Sequence, residues 1–428
     1  MNFKIGSQPR IADVTPTQTE SSASISQPAQ PSVQESAPLT SAANTSIRAE
    51  SQLSASALYA QLNSQLTPVR GPSTQVISQN EVNDNVRYGK TVTKQEAGNW
   101  VNLPKTLFTG DGDNKVDIQM GADGRVHINV DGKEAWSGTT RQFQSLTVDT
   151  GGGNDTVTNN VSGAKIKTGE GDDTVTNNAS GVQINTGNNN DTVNSKGANN
   201  KINTGSGADL VTSEGDSNEI QTEDGKDTIF NTGQNNQVDT GAGDDSIYNK
   251  GDNNWIYSQG DQDYIQSQGD GNEIYAGAGE DVISSVGNHN GIYTESGNDI
   301  VSSGGSDNRI SGEQGDDFIE SSGNRNTIWG DEGNDNISAQ GDDNAVFAGA
   351  DRDNLAILGN HNQVDAGSGN DKIDLDGNEN RLNAGADNDD AIIWGANNNV
   401  DAGDGNDVVK DYGSESVVDN AGPWEKYR

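Results

Sequence analysis

Aspartate recurs at a fixed interval of eighteen residues along more than half of this chain: Asp155, Asp173, Asp191, Asp209, Asp227, Asp245, Asp263, Asp281, Asp299, Asp317, Asp335, Asp353, Asp371, Asp389 and Asp407. Carboxylates so spaced can close turns on their own backbone or hold hard cations. The chain supplies its own comparison, because an asparagine stands nine residues after twelve of these aspartates, from Asn200 to Asn398. Asn closes turns as well as Asp does, so a side chain wanted only for turn closure need not be charged. If the aspartates stack one turn apart, at about 4.8 Å and an effective dielectric near 20, bare neighbours repel by roughly 3.5 kcal/mol. At ordinary carboxyl pKa values, protonation relieves that repulsion near pH 4 and not at neutrality. A divalent cation between turns would convert the repulsion into ligation. Oxygen ligands without Cys or His select calcium or magnesium, and a site rich in flexible carbonyls favours calcium.

The elements that must position these side chains are legible from the same interval. From Thr150 to Asp419 the chain is fifteen uninterrupted copies of an 18-residue repeat, from TGGGNDTVTNNVSGAKIK to AGDGNDVVKDYGSESVVD. With the slots of each copy numbered one to eighteen, the aspartates occupy slot six and the asparagines slot fifteen. Slot seventeen is apolar in every copy. Slot eight is Val, Ile or Leu in all but one, where Ala391 is relieved by Ile393 two residues on. Such self-similarity predicts stacked turns, each with two short strands that pair in parallel with the next turn. No proline interrupts the copies, so every N–H is free to join a ladder. Fifteen turns predict a rod on the order of 70 Å long with a thin two-sheet core. Slot four is Gly in eleven copies and Asn or Asp in the others, as Asn189, Asp261, Asp351 and Asp387, which fits left-handed backbone beside an ion. The predicted fold class is all-β: a parallel β-roll or β-solenoid of fifteen turns.

Composition agrees and sets limits. Of 428 residues 29% are hydrophobic and 54 are glycine, too little apolar material for ordinary globular cores. Residues 1–100 hold seven basic and seven acidic residues, so the net charge of −39 lies wholly in the remainder. That field argues for cations and against nucleic acid or anionic membrane. The absence of cysteine fits an exported protein that needs no disulfide. No stretch has the length of a membrane span. The opening MNFKIGSQPRIADV lacks a secretory h-region, so export by the general secretory route is not expected.

Outside the repeats, residues 1–85 are Ser/Gln-rich and read as a disordered leader. A short helical island near 50–66 (Leu53, Leu58, Leu62, Leu66) is a candidate docking segment for an export chaperone. Residues 86–149 read as a small antiparallel β-meander capping the first turn, with alternation at Val116, Ile118, Met120 and at Val126, Ile128, Val130. Residues 420–428 read as the opposite cap.

The phrases TGEGDDTVT, TGAGDDSIY, AGSGNDKID and AGDGNDVVK resemble the nonapeptide Gly-Gly-x-Gly-x-Asp-x-apolar-x of the repeats-in-toxin (RTX, haemolysin-type) calcium-binding family. The resemblance covers residues 150–419 and implies a parallel β-roll with two nonapeptides per turn. It also implies calcium between stacked loops, held by the slot-six aspartates and backbone carbonyls, and calcium-dependent folding. Two departures matter. The second nonapeptide of each turn has Gly at slot twelve and Asn at slot fifteen and lacks the calcium loop, so ions are expected along one edge, in at most fourteen gaps. Nine residues after the repeats leave little room for the family's C-terminal secretion signal. The leader's composition instead resembles type III secretion substrates.

Other residues invite weaker readings. Tyr257, Tyr275, Tyr293, Trp329 and Phe347 share slot eighteen and read as a stiffening aromatic ladder, with a glycan or host protein as the alternative partner. His289 and His361 lie four turns apart and cannot share a metal. Arg309, Arg325 and Arg352 read as solvated charges, with a lyase-like basic row as the alternative. No motif for catalysis stands out. The chain is therefore expected to be a non-enzymatic, secreted bacterial calcium-binding β-roll acting in adhesion, matrix building or virulence. The alternative is a type III effector working inside host cells through a protein- or sugar-binding face, with a metal-free Asp ladder.

Overall fold

The computed structural model describes residues 106–420 throughout, together with the strand backbones at 87–88, 91–96, 99–104 and 424–426. The chain divides into two units, Met1–Gln52 and Leu53–Arg428. The leader and its helical island lie outside the described residues.

From Thr150 onward the second unit is the expected solenoid. Each copy contributes one strand around slot eight and one around slot seventeen, and each strand pairs in parallel with its counterpart eighteen residues on, as Ile166 with Ile184 and Ile247 with Ile265. Alternation puts slots eight and seventeen inward, so Ile220, Ile229, Ile256, Ile265 and Ile274 form two apolar columns with no exposed surface. Ala391 is buried at its slot, and Ile393 beside it is fully buried. Ile357, Leu375 and Ile393 occupy slot ten, where earlier turns bury Asn, Ser or Ala and the last buries Asp411, so the core broadens over turns twelve to fourteen.

The glycines answer first to stacking. A Cβ on Gly297 would lie 1.5 Å from the carbonyl oxygen of Gly279 one turn earlier. The same crowding holds on the opposite edge, where a Cβ on Gly215 would lie 2.2 Å from the carbonyl oxygen of Gly197. Close parallel stacking thus favours Gly on both edges, although slot four also takes Asn189, Asp261, Asp351 and Asp387 with left-handed backbone, so Gly does not by itself mark a cation site.

The segment before the repeats departs from a simple meander. Lys115–Met120, Val126–Val130 and Lys133–Gly138 do form antiparallel pairs. Thr106–Phe108, however, pairs in parallel with Thr147–Asp149, and Lys115–Ile118 pairs in parallel with Thr156–Asn159. Between them TGDGDN (Thr109–Asn114) repeats the conformation of TGGGND (Thr150–Asp155), with Gly110 and Gly112 at φ 107° and 138°. It is a sixteenth loop of the same stack. The offset to its neighbour is 41 residues rather than 18 because the hairpin and a short helix, Thr140–Phe143, intervene. That helix starts at a capping box in which Thr139 and Gln142 satisfy each other's backbone N–H groups. At the far end Trp424–Lys426 pairs in parallel with Val409–Asp411.

Candidate metal centre

All fifteen slot-six aspartates point into the stack, each with at most 3% of its surface exposed. One carboxylate oxygen is accounted for. The backbone N–H of Asp227 donates to Oδ1 of Asp245, that of Asp245 to Asp263, and that of Asp263 to Asp281, each at 2.8 Å. The ladder runs unbroken from Asp155 to Asp407. The slot-fifteen asparagines build the same ladder on the opposite edge, as in Asn236 N–H to Asn254 Oδ1 and Asn254 N–H to Asn272 Oδ1, both 2.8 Å. The two edges therefore agree in everything an uncharged acceptor can do.

They differ at the second side-chain atom. In seven of the twelve asparagines, Asn200, Asn218, Asn254, Asn308, Asn326, Asn380 and Asn398, Nδ2 donates to a slot-twelve Gly carbonyl at 2.9–3.1 Å, whereas Nδ2 of Asn236, Asn272 and Asn362 is buried without a partner. The equivalent atom of every slot-six Asp is Oδ2, buried and without a hydrogen-bond partner in all fifteen copies. An oxygen stands where the neutral edge places a donor. A buried carboxylate oxygen left unpaired is costly, and what it lacks is a positive charge or a proton. The slot-one carbonyls crowd the same space: a Cβ on Gly330 would lie 2.3 Å from Asp335 Oδ2 and 2.4 Å from the carbonyl oxygen of Ala348. The donor set is thus carboxylate and backbone carbonyl, hard oxygens only, which suits calcium. Among the described residues no three His, Asp or Glu side chains converge on one point, so carbonyls would supply the remaining ligands.

Burial also revises the expected titration. It pushes Asp263, Asp317 and Asp353 up to about 8, Asp191 and Asp227 to about 7, and Asp155, Asp281, Asp335, Asp371 and Asp389 to about 6. Asp173, Asp209, Asp245 and Asp299 are raised for the same reason. The N–H bond from the preceding turn opposes the shift, and so, where slot one is Thr or Ser, does that hydroxyl beside the carboxylate, although it makes no hydrogen bond to Oδ2. Protonation is therefore available near neutral pH to a metal-free column, not only near pH 4, because desolvation acts on top of the mutual repulsion.

The sixteenth loop extends the column. The N–H of Asn114, in slot-six position, donates to Asp155 Oδ1 at 2.8 Å, and the N–H of Asn154 donates to Asp113 Oδ1 at 2.9 Å. The column thus begins with an uncharged Asn, and there are fifteen gaps between loops rather than fourteen. The sequence held this signal in TGDGDN, but the hairpin broke its interval. At slot two, Glu223, Gln259, Glu295, Glu313 and Asp331 replace Gly and keep left-handed backbone, φ 64–74°.

The remaining candidates fall elsewhere. Tyr257, Tyr275 and Tyr293 stack at 5.1 and 5.0 Å with planes 10–11° apart, and Trp329 stacks on Phe347 at 6.0 Å. Ring faces within each stack are turned toward neighbouring rings. Arg309, Arg325 and Arg352 occupy slots sixteen, fourteen and five and make no row; Arg325 grips Asp307 with two bonds of 2.7 and 2.8 Å. His289 and His361 sit at left-handed slot-fourteen positions, and His361 Nε2 lies 3.1 Å from Glu379. Among the described residues no helix is long and apolar enough to cross a membrane.

A family model for the RTX calcium-binding nonapeptide repeat, four copies long, matches residues 185–220, 221–256, 248–283, 293–325, 320–355 and 359–391. No curated protein and no solved structure matches the chain. Repeats of this kind typically bind calcium, and the proteins that carry them are generally secreted. Across residues 185–391 this chain carries haemolysin-type RTX calcium-binding nonapeptide repeats, and the buried aspartate column runs through them.

Proposed function

We propose that the chain is a secreted, non-enzymatic bacterial scaffold, set into its folded form by calcium and serving adhesion, matrix building or a virulence-associated role. The observation that carries this reading is the contrast between edges: fifteen buried Oδ2 atoms without a partner face the position that Asn Nδ2 fills on the other side. Calcium along the Asp edge would neutralise the seam and tie successive turns together. Extracellular modules bind calcium at about 0.1–1 mM, so such a chain stays loose where calcium is scarce and sets where it is plentiful.

A second reading has one observation in its favour. With several carboxyls pushed to about 7 or 8, a protonated ladder could hold without metal, as a type III effector inside a host cell would need. Circular dichroism and thermal melting of the purified chain, stripped of metal and then given millimolar calcium at neutral pH, separate the two. A large gain in β signal and melting temperature is expected. An equally folded, equally heat-resistant metal-free protein would favour the second reading.

A further inference from the structure

Slots seven and nine face outward from the slot-eight sheet, and in most turns they carry Thr, Ser, Asn or charged residues. Turns five to ten break the pattern. Phe230, Tyr248 and Tyr264 form one aromatic group, Phe230 and Tyr248 stacked at 4.9 Å and Tyr248 and Tyr264 tilted at 5.8 Å. From Tyr264 the row continues in register through Val282, Ile300 and Phe318. These last four are only half-buried. Glu320 is the one charged residue at the outward slots seven and nine of these turns. An uncharged apolar row on a chain of net charge −39 is not explained by the inward core, which slots eight and seventeen already fill.

The flanking column has the opposite character. Along the loops beside this row stand the exposed side chains of Asp261, Glu280 and Asp316, the last accepting from Asn334 N–H and Nδ2 at Oδ1, while Asp244 is engaged by Lys226 at 3.6 Å. Between the loops lies an open cavity of about 570 Å³ lined by Asp261, Gln262, Gly279, Glu280, Ser296 and Asn298. Apolar row and acidic furrow run side by side over turns seven to ten.

We propose that this face binds a basic amphipathic segment of a protein partner, its apolar side chains on Tyr264, Val282, Ile300 and Phe318 and its Lys or Arg side chains over Asp261, Glu280 and Asp316. Area chooses between this occupant and a second copy of the chain. Four turns span about 19 Å, and a strip one side-chain row wide offers roughly 200 Å², well below the ~800 Å² per partner of a stable protein–protein interface. A single helix or extended segment fits that strip. Charge points the same way, since a second copy would bring its own acidic loops against these.

The probe is an amphipathic peptide of about sixteen residues, four helical turns, with Leu on one face and Lys on the other. Its binding to the calcium-loaded full chain is read by fluorescence anisotropy, beside a version with Gln for every Lys. Binding of the Lys peptide is expected to weaken at least about tenfold in the double variant Val282→Gln/Ile300→Gln, as loss of central apolar anchors does, and to lose its salt dependence in Glu280→Gln/Asp316→Asn. Tyr257→Gln/Tyr275→Gln on the opposite sheet should leave it unchanged. Circular dichroism checks that each variant is folded, and Val282→Thr/Ile300→Thr, which keeps β-branching, gives a second measure of the apolar term. Equal affinity in wild type and both apolar variants overturns the proposal. So does a dimer in sedimentation that these variants abolish while the peptide remains unbound.

Discussion

The difference between Asp and Asn in this solenoid is one atom, and that atom sets what each edge needs. Oδ1 does the same work on both edges, accepting a backbone N–H from the preceding turn. The second atom is a donor on one edge, used in seven of the twelve asparagines for a slot-twelve Gly carbonyl, and cannot be a donor on the other. The exchange Asp263→Asn therefore keeps the ladder and supplies the missing donor. It should raise the melting temperature of metal-stripped protein and lower the calcium count by calorimetric titration. Asp263→Ala removes the acceptor for the Asp245 N–H as well and should cost about 1–3 kcal/mol in either condition. If Asp263→Asn weakened the metal-free protein as much as Asp263→Ala, the oxygen at this position would have a partner of another kind. At this scale the sequence is informative: the segregation of Asp from Asn singles out the column. The depth of burial is not legible, because slot six reads equally as an exposed turn residue, and the upward shift in pKa follows chiefly from that burial.

At the scale of the turn, each element leans only on its neighbours, so damage should stay local. Ile265 is fully buried between Ile247 and Ile283 in the slot-eight column. Ile265→Ala should cost about 2–5 kcal/mol, and hydrogen exchange should rise in the strands around Ser246–Lys250, Tyr264–Gln268 and Val282–Val286 far more than at either end. A uniform rise along the chain would mean that the stack opens as one cooperative unit. The register of these strands was readable from the unbroken 18-residue interval. The loop Thr109–Asn114 was not, since only a period announces a solenoid turn and the hairpin over Val126–Gly138 removes the period. Nor is the outward row at Tyr264, Val282, Ile300 and Phe318 legible as a surface. Slot seven alternates correctly with an inward slot eight, and its apolar content looks like β-propensity until the structure leaves it half-buried.

At the scale of the molecule, the column couples stability to pH. A carboxyl whose folded pKa is raised above its unfolded value near 4 binds its proton more tightly in the folded state, so folding is favoured below that unfolded value and loses ground as pH rises through the folded one. With folded values of about 6 for Asp155, Asp281 and Asp389, 7 for Asp191 and Asp227, and 8 for Asp263, Asp317 and Asp353, metal-free protein should lose stability steadily from about pH 4 to about pH 8. Calcium and protons compete for the same oxygens, so saturating calcium should flatten that decline, and calcium added at neutral pH should release protons. Surface repulsion among the remaining acidic residues acts in the same direction, but salt distinguishes the two. At about 1 M NaCl the screening length falls to about 3 Å, which suppresses repulsion between exposed charges and leaves a desolvated column largely unscreened. The measurement is melting temperature against pH, with and without calcium, at low and high salt. A decline that persists in high salt and vanishes with calcium assigns it to the buried aspartates; a metal-free melting temperature that does not change with pH would show that their burial carries no titration cost.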